Sequence, residues 1–202
     1  MIVAGLICVL IVIVAVISSV WPMQEDYFFE LGLLGKNKTA DNYFVDIHST
    51  VDLGIPNSWF FYVHNHMGTT QEVSIRAKLL NYTMELPDDQ KHQPSPVPSF
   101  ADFPLSISNN ETVLIPFSWS IMEIKIENNS TVIKRLIVNE VPVEVSVSDS
   151  LNSSFRITVE LWVKDPDSGI FIFGWESKEG FSSASNFMEF ILNSTEVGKN
   201  SS

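Results

Sequence analysis

His64 and His66 sit one residue apart, a spacing that admits metal chemistry. On an extended strand, residues i and i+2 point the same way, so both imidazoles would reach one ion. Asp46, His48, Met67 and Glu72 are candidates to complete such a site, and copper is the metal expected outside the cytoplasm. A second chemistry recurs along the chain. Asn-x-Ser/Thr acceptor sequons begin at Asn37, Asn81, Asn110, Asn128, Asn129, Asn152, Asn193 and Asn200, eight in all. Each falls between strand-like runs or in the C-terminal tail, where a bulky, solvated glycan has room. Nucleophilic catalysis finds no support: there is no Gly-x-Ser-x-Gly elbow, no glycine-rich phosphate loop, and the sole thiol is Cys8. The expectation is a chain without catalytic residues and without an obligatory cofactor.

The elements that carry these residues divide into two kinds. Ile2 to Trp21 is a predominantly apolar run without a charged residue, and the first charged side chain is Glu25. About 20 residues rising ~1.5 Å each cross a ~30 Å hydrocarbon layer, so residues 2–21 are long enough to span. Trp21 suits the headgroup level, and Pro22 closes the run. A cleaved signal peptide would carry a basic start and a small-x-small cleavage site; no Lys or Arg precedes the run, and Ser18-Ser19-Val20 is a poor site. Residues 1–22 therefore read as a retained transmembrane anchor. The sequons orient it, with the C-terminal domain outside the cytoplasm.

The net charge of −12 belongs to the chain beyond this segment and excludes the basic patches that nucleic acids and anionic lipids require. With Cys8 in the anchor, the domain at 23–192 has no disulfides and must be held by its core.

That domain repeats with period two. Val73, Ile75, Ala77 and Leu79 alternate with Glu72, Ser74, Arg76 and Lys78. Val141 to Val147 and Phe155 to Val163 alternate in the same way, and each run reads as a half-buried strand with one wet face. Asp165-Pro166-Asp167-Ser168-Gly169 and Asn128-Asn129-Ser130 read as hairpin turns. Ile170–Trp175 is apolar on both faces, which predicts a central strand or one covered by a partner. Trp59, Phe60, Phe61 and Tyr62 place aromatics on both faces of one strand; one face fills the core and the other is a candidate partner surface.

Nine or ten such strands predict an antiparallel, immunoglobulin-like β-sandwich. Pro87, Pro94, Pro96, Pro98 and Pro104 mark 85–104 as an insertion that does not pair as a strand, in the sharper reading an extended arm that docks on a neighbour. Residues 193–202 are a polar tail.

Two segments carry a family resemblance. Phe28–Phe44 reads FFELGLLGKNKTADNYF, and Asn57–Leu79 reads NSWFFYVHNHMGTTQEVSIRAKL. In Phe29-Glu30-Leu31, Leu33-Leu34-Gly35, Ala40-Asp41-Asn42-Tyr43, Asn65-His66 and Val73–Leu79 the chain resembles an uncharacterised family of archaeal membrane proteins. Members look like N-terminal transmembrane helices followed by an extracytoplasmic β domain. The chain departs from that pattern in having one membrane helix and the insertion at 85–104. The resemblance implies an archaeal envelope setting and a structural role for Asn65-His66 at a strand end. It implies no reaction. Separately, the His-x-His spacing is similar to that of the copper-binding subunit of membrane ammonia and methane monooxygenases.

These readings converge on a non-catalytic, N-glycosylated, membrane-anchored envelope protein. Its partners would be other subunits, a surface-layer protein or a second copy. The alternatives are an accessory subunit of a membrane enzyme such as a copper monooxygenase, a pilin-like filament subunit, and an extracytoplasmic copper-binding protein.

Overall fold

The computed structural model describes residues 27–44, 49–150, 153–177 and 180–193. The apolar run, Asp46, His48, Asn152 and Asn200 lie outside these residues. The strands are β1 (Phe29–Leu34), β2 (Thr50–Val51), β3 (Asn57–Asn65), β4 (Gln71–Asn81), β5 (Ala101–Ile107), β6 (Thr112–Glu127), β7 (Ser130–Val138), β8 (Val141–Asp149), β9 (Ser154–Lys164), β10 (Phe171–Phe173), β11 (Trp175–Ser177), β12 (Gly180–Ser182) and β13 (Ser185–Leu192). They build two large sheets and a separate two-stranded ribbon of β11 and β12. The first runs β1-β3-β6-β7-β8, and the second runs β2-β13-β9-β4-β5, with β10 added beside β9. All pairs in the two sheets are antiparallel except β2 with β13, which is parallel.

The period-two runs become the two inner faces. Val73, Ile75, Ala77 and Leu79 on β4 are buried, as are Phe155, Ile157, Val159, Leu161 and Val163 on β9. Opposite them, β3 contributes Trp59, Phe61 and Val63, and β6 contributes Phe117, Trp119 and Ile121. The aromatics interlock, with Phe61 stacked on Phe117 at 4.6 Å and Trp119 against Phe190 at 5.1 Å between ring centres. Each such side chain removed from water contributes roughly 1.5–3 kcal/mol. A core of this kind makes disulfides unnecessary.

Both expected hairpins form. Asn128 and Asn129 take φ of 50° and 65°, the pair of positive values that a two-residue type I′ turn requires, and Asn is among the residues that tolerate them. Asn139-Glu140 repeats the device between β7 and β8, with φ of 46° and 70°. At 165–170, the Asp165 and Gly169 amides donate to Ile170 O and Asp165 O at 2.9 and 2.8 Å.

Three expectations are corrected. First, the outer faces of β4 and β9 are not wet at their centres: Ser74, Lys78, Thr158 and Glu160 are buried. The proline-rich segment lies over Lys78 and Glu160, where Ser95 bonds to both, so it docks on its own sheet. Second, 85–104 does not stay unpaired to its end. Ala101–Ile107 forms β5, with Pro104 opposite Ser74. Because β5 is an edge strand, one row of its amides faces away from any partner, and a proline fits in that row. Third, Ile170–Trp175 is not central. β10 takes the last residues of β9, where β13 has not yet begun. The chain then turns at Gly174, whose φ of 105° and whose missing Cβ, 2.1 Å from Ser182 O if present, both demand glycine. Trp175 tucks into the core 5.2 Å from the Phe29 ring.

Candidate functional site

The strand register assembles a cluster on the outer face of the first sheet. Glu30 on β1, His64 on β3 and Thr112 on β6 form one cross-strand row, and Tyr62 occupies the next row between Gly32 and Leu114. His64 Nδ1 lies 2.5 Å from Thr112 Oγ1. His66 stands just beyond β3, its ring 3.9 Å from that of His64 and stacked at 4.3 Å on Phe28. His66 Nε2 is 3.4 Å from Glu30 Oε1, while Glu30 Oε2 accepts the Tyr62 hydroxyl at 2.9 Å. That hydrogen bond, with partial burial second, raises the Tyr62 phenol above its ordinary value. His64 Nε2 is buried without a partner.

The two histidines are thus together, as the i, i+2 spacing predicts. A ligand set for metal is not: among the described residues, no group of three or more His, Cys, Asp or Glu side chains is arranged to hold an ion. Glu72, a proposed third ligand, pairs with Lys164 on the second sheet. Met67 contributes its amide to Asn65 Oδ1 at 2.8 Å and lines a different cleft. Glu30, the carboxylate that does reach His66, escaped the sequence reading. It is 36 positions away, and only the β1–β3 register brings it in.

Between the two histidines, Asn65 points into the molecule and is 0% exposed. Its Nδ2 donates to Thr69 O at 2.9 Å and to Ile107 O at 2.8 Å. Its backbone N–H donates to Glu111 O at 3.1 Å, and its carbonyl accepts from Asn110 N at 2.7 Å. One residue, through side chain and backbone together, therefore ties the β3–β4 loop, the end of β5 and the turn before β6, a structural role at the end of a strand.

A second polar constellation lies beneath the proline-rich segment and was invisible in sequence. Lys78 on β4 and Glu160 on β9 form a buried ion pair, Nζ to Oε2 2.8 Å and Nζ to Oε1 3.0 Å. Lys78 Nζ also donates to Ser95 O at 2.6 Å, Ser95 N donates to Glu160 Oε1 at 2.8 Å, and Trp162 Nε1 donates to Glu160 Oε2 at 2.9 Å. Arg76 stacks over the Trp162 ring at 3.9 Å. Every acceptor of Glu160 is used, which is the condition for keeping two charges out of water. The arrangement fastens a strap onto a sheet and presents no group to a substrate. Asp89 adds a second fastening, its carboxylate taking the Ser185 amide and hydroxyl at 3.2 and 3.0 Å.

The sequons sort by position along the strands. Tyr27 leads into β1 at one end of the sandwich, here the near end, beside Gly68 and the β5–β6 turn. Asn37 follows β1 at its opposite end. Asn81 closes β4, Asn128 and Asn129 cap the β6–β7 hairpin, and Asn193 follows β13, all at the far end by the register of their strands. Of the described sequons, Asn110 alone is at the near end. Asn37, Asn110, Asn128 and Asn129 are exposed. Asn81 forms a side-chain turn in which Oδ1 accepts both Thr83 N and Thr83 Oγ1 at 2.9 Å. A cleft of about 400 Å³, lined by Met67, Lys164, Asp165, Ile172, Trp175 and Phe181, also opens at the near end.

No protein-family model matches the chain, and no curated protein matches it. The domain is a two-sheet β-sandwich. It is similar in structure to a CARDB domain from Pyrococcus furiosus solved in complex with di-metal ions, at 8% identity and a TM-score of 0.40, over 83% of this chain and 94% of that one. It is also similar to part of a β-glucosidase from Listeria innocua, at 12% identity and a TM-score of 0.40, over 83% of this chain and 16% of that one. A third likeness is to the alkylpurine DNA glycosylase AlkC of Pseudomonas fluorescens, at 11% identity and a TM-score of 0.35, covering 85% of this chain and 31% of that one. Nothing of the metal, sugar or DNA chemistry of these proteins carries over at such distances.

Proposed function

We propose that this chain is a non-catalytic, N-glycosylated protein of the cell envelope, held in the membrane by residues 2–21, whose immunoglobulin-like domain serves a structural or protein-interaction role outside the cytoplasm. The archaeal family that Phe28–Phe44 and Asn57–Leu79 resemble is the setting we favour. The single observation that carries the reading is the segregation of acceptor sites from the point where the chain leads in. Tyr27 lies at the near end, whereas Asn37, Asn81, Asn128, Asn129 and Asn193 lie at the far end. A domain tethered at one end and decorated mainly at the other keeps most of its sugars clear of the anchor, Asn110 being the near-end exception. The fastened strap and the tied-down Asn65 loops favour a rigid spacer over a catalyst with moving parts.

Purification from native membranes in mild detergent, with glycopeptide mass spectrometry and identification of every co-purifying protein, tests this. The expected result is a membrane-bound chain with glycans on several far-end asparagines and a partner, or a second copy, in stoichiometric amount. A soluble cytosolic chain with every asparagine bare would overturn it.

A further inference from the structure

We propose that the domain stands end-on against the lipid surface, with Phe28 and Ile170 at the contact. This rests on the anchor reading above and adds an orientation to it. Pro22 and Tyr27 are five residues apart, and an extended chain spans at most ~3.5 Å per residue, so the leash reaches about 17 Å. A strand of 11 residues such as β4 is about 36 Å long at ~3.3 Å per residue. The leash is therefore shorter than the domain and begins at its near end, which holds that end close to the headgroups.

What the near end presents fits a lipid interface. Ile170, which closes the β9–β10 turn against Asp165, is 64% exposed, and Phe28, which is stacked on His66, is 37% exposed. The other ionisable groups there are chiefly acidic: Asp165 and Asp167 in the hairpin, Glu111 before β6, and Glu176 on β11. Among the described residues the lysine there, Lys164, is paired with Glu72. The described near end thus offers an anionic leaflet no unpaired lysine or arginine, and the contact is apolar insertion into a neutral interface, which salt does not screen. The leash supplies the high local concentration that so small a contact needs.

The test uses the full chain, carrying Cys8→Ser, in phosphatidylcholine nanodiscs. Single spin labels go at Ser168→Cys in the hairpin, Asn129→Cys at the far end, Ser146→Cys on the outer face of the first sheet and Gln93→Cys on the strap. Relative collision rates with oxygen and a water-soluble nickel chelate report depth. The proposal expects the Ser168 label at the interface, the other three in water, and no change between low and high salt. It expects Ile170→Asp to release the Ser168 label into water while the chain stays in the disc. A face label in lipid would mean that the domain lies flat, and all four labels in water would mean that it swings freely. Either result overturns the proposal and leaves the anchor reading intact. A chain that fails to enter the disc sinks the anchor reading itself, and this proposal with it.

Discussion

At the scale of single residues, the cost of a buried charge decides most. Lys78 and Glu160 are accommodated out of water because Ser95, Trp162 and each other use up their hydrogen-bonding capacity. Removing one partner strands the other. Lys78→Met alone or Glu160→Leu alone is expected to lower unfolding stability by roughly 3–5 kcal/mol, while the double replacement costs far less than the two together. Urea denaturation of the four proteins measures the coupling, and an additive result would show that the pair does not act as a unit. Sequence alone could not reveal this pair. Alternation placed Lys78 and Glu160 on wet faces, correctly as to direction, but nothing in a period of two announces that a loop will cover that face. The histidines were legible because their relation is local. Glu30 was not, because its relation to His66 is a matter of strand register.

At the scale of elements, the turns govern. The 165–170 hairpin is held by Asp165, whose carboxylate takes the amides of Ser168 and Asp167, and these bonds hold its pKa below the ordinary Asp value. A group lowered on folding adds stability above the unfolded value of ~3.9 and loses it as pH falls through the lower, folded value. The turn is therefore expected to stay intact from neutral pH down to about pH 4 and to loosen below that. NMR titration of the Ser168 and Asp167 amide shifts checks this, and a midpoint at or above the ordinary Asp value would contradict it. The Asp-Pro-Asp-Ser-Gly motif and the Asn-Asn turn were readable because backbone sterics permit few residues there. Pro104 misled, since whether a proline breaks a strand depends on whether that strand is an edge, which is a property of the sheet.

At the scale of the whole molecule, β4 pairs with β9, joining residues such as Lys78 and Thr158 that are far apart in sequence, and β1 pairs with β3 across a long loop. Closing such loops must precede the contacts that repay them, so refolding is expected in milliseconds to seconds and not in microseconds. Stopped-flow fluorescence of the buried Trp59 and Trp119 would follow it. The two-sheet architecture was legible for a simple reason: alternation over long runs can be satisfied only by burying one side against another sheet. Sheet order was not, because hydrophobic pattern says which side is in and is silent on which neighbour is beside it.

The strap gives the sandwich a property unusual for a rigid spacer. Both its ends continue into strands β4 and β5, while its middle exposes Lys91. A single proteolytic nick at that lysine would leave both sheets whole, with Asp89 and Ser95 still fastening the strap on either side of the cut. Such a break would mark a protein exposed to foreign enzymes without dismantling it.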